Sequence, residues 1–268
     1  DGTIDEAQVA EMTAYAMEHG VNYFDTAFPY HGGESERVMG RVLSQYPRES
    51  YYLATKYPGH QIISTGYNPA EIFEEQLEKC GVDYFDFYLY HNVCENSFAT
   101  YTNEEYGIKD FFAEEKKKGR IRHLGLSTHA RAGNLEEMLD YFGDLIEFVQ
   151  IQLNYLDWDS PSFRERECVE IAQKRGVPIS VMEPVKGGAL AALPEEAAAL
   201  MTAGSPASYA LRYAAGFENV IMVLSGMSNL DQVNDNIRTM TNFVPLNEAE
   251  METIDRVRTI FQGQNKIP

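Results

Sequence analysis

Cysteine is scarce in this chain: three residues, Cys80, Cys94 and Cys168, at spacings that match no zinc or iron–sulfur ligand set. A sparse, odd count argues against a disulfide-stapled secreted domain and suits a reducing cytoplasm, the compartment expected here. Cations are few as well. Lys and Arg number 22 against 41 Asp and Glu, a formal charge of −19. That field repels nucleic acid and anionic membrane surfaces, so neither is expected as a partner. No apolar run approaches the roughly 20 residues of a membrane helix, and no signal peptide is visible. There is one tryptophan, no Gly/Ser-rich linker and no low-complexity stretch. The chain starts with Asp rather than Met, so an earlier segment is expected.

What is present is a globular composition. The chain is 44% hydrophobic and holds 17 Tyr and 14 Phe, aromatic content that a disordered chain lacks. Its 268 residues suit one large domain spanning 1–268. Short apolar runs at 21–27, 51–56, 84–91, 123–128, 148–154, 179–184 and 220–226 have the length and the Val, Ile, Tyr and Phe content of strands buried on both faces. Helices are expected between them. Thr3 and Glu6 suggest a capping box for 4–19, closed by Gly20. Asn68-Pro69, Ser160-Pro161 and Ser205-Pro206 read as helix starts, with Gly81 and Gly176 as stops for the first two. Residues 107–118 end in three lysines, cations where a helix C-terminus favours them.

Regular alternation of strand and helix implies parallel strands with right-handed crossovers. A doubly wound sheet would carry G-x-G-x-x-G after its first strand, and none is present. Seven strands preceded by an orphan helix fit a (β/α)8 TIM barrel, of α/β class, whose first strand is missing from the chain as given. In such barrels the chemistry gathers at the C-terminal ends of the strands. The first visible strand ends in Asp25, with Tyr30 on the loop that follows; the second ends in Lys56 and the third in His91. Asp25 as a helix cap and Tyr30 as mere packing is the plainer alternative, but it leaves Lys56 and His91 unexplained.

The pattern D-T-A-x-x-Y, then T-K at a strand end, then a strand ending in His, resembles the catalytic tetrad of the aldo-keto reductase family, and the likeness runs along essentially the whole chain. The resemblance implies an oxidoreductase moving hydride between a nicotinamide cofactor and a small carbonyl or alcohol substrate. Tyr30 would be the general acid, Lys56 and Asp25 its ion-paired tuners, and His91 the group that orients the carbonyl. The chemistry asks for these types: a developing alkoxide needs a proton, a phenol with its ordinary pKa of about 10 is a poor acid near neutrality, and an adjacent ammonium stabilises the phenolate.

The same resemblance assigns a cofactor cleft. Ser127 and Thr128 stand where the family usually holds Ser-Asn against the nicotinamide carboxamide, Thr128 being a departure. Gln150 matches a second carboxamide ligand, and Met182 stands where an aromatic ring commonly stacks. Lys186, Gly187 and Gly188 suit a pyrophosphate. Gly226, Met227, Ser228, Gln232, Asp235 and Asn236 correspond to the adenosine end, at a helix N-terminus. No cation for a 2′-phosphate occurs in 225–236, so NAD(H) stays open beside NADP(H), the family default. His31, Tyr57, His129, Tyr155 and Trp158 follow strand ends and are expected to rim the substrate pocket. Several stretches, F-D-F-Y-L-Y-H-N-V and V-M-E-P-V-K-G-G among them, are similar to a bacterial subgroup that carries a ferredoxin-like tail after the barrel. Iron–sulfur clusters are expected only if such a tail follows in a longer protein. A barrel that binds the nucleotide as a sensor or electron-transfer subunit is the competing reading; a positioned acid argues against it.

Overall fold

The structure is a computed structural model that describes residues 3–61 and 68–263. Its strands are β1 (Tyr23–Asp25), β2 (Tyr52–Tyr57), β3 (Phe85–Tyr90), β4 (Ile121–Thr128), β5 (Phe148–Gln152), β6 (Ile179–Met182) and β7 (Val220–Val223). The helices are α1 (Glu6–Glu18), α2 (Ser35–Leu43), α3 (Pro69–Cys80), α4 (Phe98–Tyr101), α5 (Ile108–Lys117), α6 (Ala132–Phe142), α7 (Glu165–Arg175), α8 (Glu195–Ala198), α9 (Pro206–Ala215), α10 (Leu230–Thr241) and α11 (Glu248–Gly263). Every strand run read from the sequence is a strand, and strand order equals chain order, β1-β2-β3-β4-β5-β6-β7. None of the described helices is long and apolar enough to cross a membrane. The chain divides into two compact units, Asp1–Gln150 and Ile151–Pro268.

In the first unit β1 to β4 pair in parallel, with Asp25 opposite Ala54, Lys56 opposite Leu89 and Leu89 opposite Gly125. Side chains alternate between two faces of a strand, and here both faces are covered, as crossover helices require. On one face Ala54, Leu89 and Phe148 form a buried cluster with Tyr23 and Phe87 against it. On the other, Tyr88 and Tyr90 meet Phe112 of α5, and Tyr90 stacks on Phe142 of α6 at 4.6 Å. Helix α3 starts and stops as expected. Asn68 Oδ1 accepts from the Ala70 and Glu71 amides at 3.1 and 3.3 Å, Pro69 occupies the first turn, and Gly81 closes it at φ 63°. Gly40 lets α2 lie directly on the end of α3, since a Cβ there would fall 2.6 Å from the Lys79 carbonyl.

In the second unit β6 and β7 pair in parallel, Val181 opposite Val223. Ser205 caps α9 by accepting from the Ser208 amide at 3.0 Å.

Two helix starts differ from expectation. Helix α1 is capped by Asp5, whose Oδ1 accepts from the Gln8 amide at 3.0 Å, so Asp5 rather than Thr3 begins it. Helix α7 begins at Glu165, not after Pro161: the Ser160 hydroxyl accepts from the Ser162 amide, closing a local turn, and the chain passes through Arg164 at φ 54° before the helix begins. A serine that can satisfy a nearby amide competes with the helix it precedes.

Candidate active site

Three neighbouring strand ends of the first unit deliver the expected groups. Asp25 closes β1, Lys56 is the next-to-last residue of β2, and His91 follows β3; Tyr30 opens a 3-10 turn, Tyr30–Gly33, after β1. Lys56 has no exposed surface. Its Nζ donates to Asp25 Oδ1 at 2.5 Å and to the Thr26 carbonyl at 2.8 Å, and it is hydrogen-bonded to the Tyr30 side chain. The same nitrogen lies 4.8 Å from the centre of the Tyr30 ring. Burial works against the ammonium, but the Asp25 carboxylate and the Tyr30 oxygen outweigh it and hold the lysine above its usual range. Burial pushes the Asp25 carboxyl up, opposed by Lys56. With two acceptors, Asp25 Oδ1 and the Thr26 carbonyl, around one buried nitrogen, the proton stays on the lysine.

Tyr30 is the exposed member, at 37%, so its phenol can meet a ligand from solvent while its coupled lysine stays dry. His91 sets its ring edge-on to Tyr30 at 5.7 Å. Burial first, then the charges of Lys56, His60 and His129, push the imidazole down to about 2. It is therefore neutral, a hydrogen-bonding group and not a cation.

A buried polar layer stands behind Lys56. Gln76 of α3 donates to the Lys56 carbonyl at 3.0 Å and to Glu36 at 2.7 Å; Thr55 donates to the same Glu36 oxygen at 2.5 Å, and Tyr88 donates to Gln76. Nothing in the sequence singled these residues out, since they join from four separate elements. The Tyr101 hydroxyl, also missed, reaches the carbonyls of Tyr57 and His91 at 3.1 and 2.5 Å. His60, in the turn Gly59–Gln61, packs on His91; lying four residues after Lys56 was the only available signal.

Of the residues expected to hold a nucleotide, Ser127 and Gln150 are buried at the end of β4 and within β5. Ser127 Oγ accepts from the Asn92 amide at 2.9 Å and keeps its own proton to donate, which fits a carboxamide oxygen. Thr128 does not fit that role as placed, because its hydroxyl donates to the Val93 carbonyl and accepts from the Ala130 amide. In the second unit, Met182 ends β6. Lys186 is committed: its Nζ donates to both Asp157 oxygens at 2.7 and 2.8 Å. Gly187 and Gly188 take φ 58° and 95°, as the sharp turn demands, and the Gly187 amide donates to Glu183 at 2.6 Å. Gly226 and Ser228 are exposed and Met227 half-buried before α10; the Ser228 amide is taken by Gln232 Oε1. Asp235 accepts from Ser205 and Asn236 donates to Ser225, both at 2.6 Å, so these two side chains brace the helix.

Two expected pocket residues are placed elsewhere. Tyr57 is fully buried, its ring against Phe112 at 5.1 Å; adjacent strand residues face opposite sides, so with Lys56 turned to the site Tyr57 turns to the helices. Tyr155 is buried beside Tyr213. Trp158 packs on Phe217 at 4.8 Å. His31 and His129 are exposed. No three His, Cys, Asp or Glu among the described residues are arranged to hold a metal.

Strands joined in chain order through helices, with a phenol, an ammonium, a carboxylate and a neutral imidazole at three neighbouring strand ends, define a protein of the (β/α)8 class with an acid–base site. The chain belongs to the Aldo/keto reductase family, whose sequence profile matches residues 1–203 and 192–259. It is 27% identical over 206 residues, 71% of this chain, to the NADH-specific methylglyoxal reductase of Escherichia coli, and the match spans 60% of that protein's length. It is 24% identical over 97% of its length to L-galactose dehydrogenase of Arabidopsis thaliana, covering 86% of that protein. Among solved structures, the holo form of an aldo-keto reductase from Bacillus halodurans is similar at a TM-score of 0.76 and 26% identity, covering 95% of this chain and 88% of that one. A Klebsiella pneumoniae aldo-keto reductase in complex with NADPH shares the fold at a TM-score of 0.74 and 18% identity, over 96% and 87% of the two chains.

Proposed function

We propose that this protein is an NAD(P)H-dependent oxidoreductase that interconverts a small carbonyl compound and its alcohol, with Tyr30 as the proton donor. The observation that carries the reading is the exposed Tyr30 phenol hydrogen-bonded to a buried lysine that is itself held by Asp25. When bound, the reduced nicotinamide supplies a hydride to the carbonyl carbon. The oxygen then needs a proton, and the Tyr30 hydroxyl donates it. Lys56 stabilises the phenolate that remains, and Asp25 and the Thr26 carbonyl keep the ammonium aimed at that oxygen. His91, being neutral, orients the carbonyl by a hydrogen bond without competing as an acid.

In the first unit, Ser127 and Gln150 would hold the carboxamide; Met182, in the second, is a cofactor contact of this reading. Lys186, Gly187 and Gly188 would face the pyrophosphate, and Gly226, Met227, Ser228, Gln232, Asp235 and Asn236 the adenosine end. In this reading Lys186 reaches a phosphate only by sharing itself with Asp157. NADP(H) is the cofactor we favour, supported by the NADPH complex of the Klebsiella neighbour; the name of the E. coli relative makes NADH the second nucleotide to test. His31 and His129 are the substrate-facing residues of this reading. The cytoplasmic assignment rests on the sparse, odd cysteine count, three in the whole chain.

The test is oxidation of NADPH and of NADH against a carbonyl panel that includes an α-ketoaldehyde and aldoses, the classes named for the two relatives. Turnover with at least one carbonyl is expected. Tight nucleotide binding without turnover on any of them would move the protein to the sensor reading.

A further inference from the structure

Two side chains given no part in the chemistry above converge behind His91. His60 sets its ring edge-on to the His91 ring, with centroids 4.5 Å apart and planes at 72°. The Nδ1 atoms of both rings are buried and have no hydrogen-bond partner among the described residues, while the His91 backbone hydrogen-bonds the His60 ring. Tyr101, the last residue of α4, ties the His91 carbonyl to that of Tyr57 through its hydroxyl. Its ring fills the space beside Gly59, where a Cβ would come within 2.5 Å. The turn carrying His60 is thus held against the rings of Tyr101 and His91, directly after β2, the strand that supplies Lys56.

We propose that His60 is a positioning residue for His91: its ring, packed edge-on against the imidazole, fixes the orientation of that imidazole toward the substrate oxygen and shuts water away from it. The groups that face His91 are Tyr30 from the turn after β1, Lys56 from β2, His60 from the turn after β2 and His129 from the loop after β4. Among the described residues, none of the charged groups acting on it is a carboxylate. A neutral imidazole polarises a carbonyl while leaving the proton transfer to a single acid, Tyr30. Tyr101 and Gly59 act one step further out by holding the turn. This inference rests on the carbonyl-reducing reading for its purpose, but the geometry it concerns is independent of turnover.

The test uses the full chain and two variants, His60→Ala and His60→Phe, with folding checked by circular dichroism. Long-range ¹H–¹⁵N spectra follow the His91 ring from about pH 4.5 to 8, a window around the ordinary histidine pKa of about 6.5. Carbonyl kinetics and nucleotide affinity are measured over the same range. In the parent protein His91 does not titrate. In His60→Ala it does, KM for the carbonyl rises about fivefold or more, and kcat/KM gains an acid limb losing roughly tenfold per pH unit, while nucleotide affinity stays within about twofold. His60→Phe restores the packing and the excluded water, so His91 again fails to titrate and the acid limb disappears. A His91 ring that titrates in the parent protein, or one that stays silent in His60→Ala with KM and pH profile unchanged, overturns the proposal. If the parent protein reduces no carbonyl, the carbonyl-reducing reading falls, and the spectra still decide whether His60 positions His91.

Discussion

The Lys56 ammonium lies 2.5 Å from Asp25 Oδ1, and the lysine has no exposed surface. Removing one partner of such a pair strands the other without its counter-charge. Lys56→Met therefore leaves Asp25 desolvated, with its carboxyl driven further above the usual range. The expected cost is about 3–5 kcal/mol of stability, the usual penalty for half of a buried pair. Rate falls as well, because Tyr30 loses its coupled cation. The double variant Lys56→Met, Asp25→Leu separates the two effects: it recovers much of the stability and none of the rate. Urea unfolding midpoints and single-turnover rates measure both, and a double variant as active as the parent would sink the assignment of Lys56.

Tyr30→Phe removes one oxygen from an exposed ring. Packing against Lys56 and His91 survives, so stability should change little. Carbonyl reduction should fall on the order of 10²–10⁴-fold, the usual worth of a positioned acid. Nucleotide affinity, read by fluorescence quenching, stays near the parent value. Turnover close to the parent's would give the proton to another donor.

Much of this was legible in the chain. The strands show as apolar runs because both faces of a parallel sheet are covered, and the site shows because strand ends punctuate those runs at Asp25, Lys56 and His91. What stayed hidden is whatever depends on side-chain direction or distant packing. Tyr57 stands next to Lys56, and only the two-residue alternation of the strand turns it away from the site. Gln76, Glu36, Tyr88 and Thr55 meet from α3, α2, β3 and β2, and no spacing along the chain announces that. Lys186 reads as a phosphate ligand from its neighbouring glycines; its commitment to Asp157, 29 residues earlier, is a tertiary fact.

Gly59 and Tyr101 offer a test of the turn that carries His60. Gly59→Ala sets a methyl within 2.5 Å of the Tyr101 ring. The buried ring has nowhere to retreat, so overpacking of about 1–3 kcal/mol is expected. In a Tyr101→Leu background the same substitution should cost much less, the sign of a shared site. Thermal melts of the four proteins in the cycle settle this. Strict additivity would mean that the ring and the methyl never meet.

The second unit contributes a pH effect of its own through Glu165. This carboxyl is 2% exposed and accepts from the Asn154 amide at 2.9 Å and from Asn154 Nδ2 at 3.2 Å. Those donors favour the charged form, but burial outweighs them, and the Asp157 carboxylate nearby adds to it, so Glu165 is pushed up to about 8. Lys186, a cation that acts to lower it, is hydrogen-bonded to Asp157 instead. In the unfolded chain a glutamate titrates near 4.3. Between those two values the folded protein binds the proton and the unfolded chain does not. The contribution to stability is therefore complete below about pH 4.3 and is lost as pH rises through about 8. Each pKa unit corresponds to about 1.4 kcal/mol, so the loss amounts to a few kcal/mol. His91 acts in the opposite sense lower on the scale, since its folded value of about 2 against an unfolded one near 6.5 makes stability rise with pH through that interval. A single stability curve mixes the two, and a difference curve separates them. Glu165→Gln gives up one of the two Asn154 bonds, a cost of about 1 kcal/mol that does not vary with pH. The parent's lead should then vanish within about one pH unit above 4.3 and reverse in urea unfolding, the variant becoming the more stable by a few kcal/mol by about pH 8, where the difference levels off because the parent alone has lost its protonated carboxyl. Parallel curves across that range would show that Glu165 is charged in the folded protein.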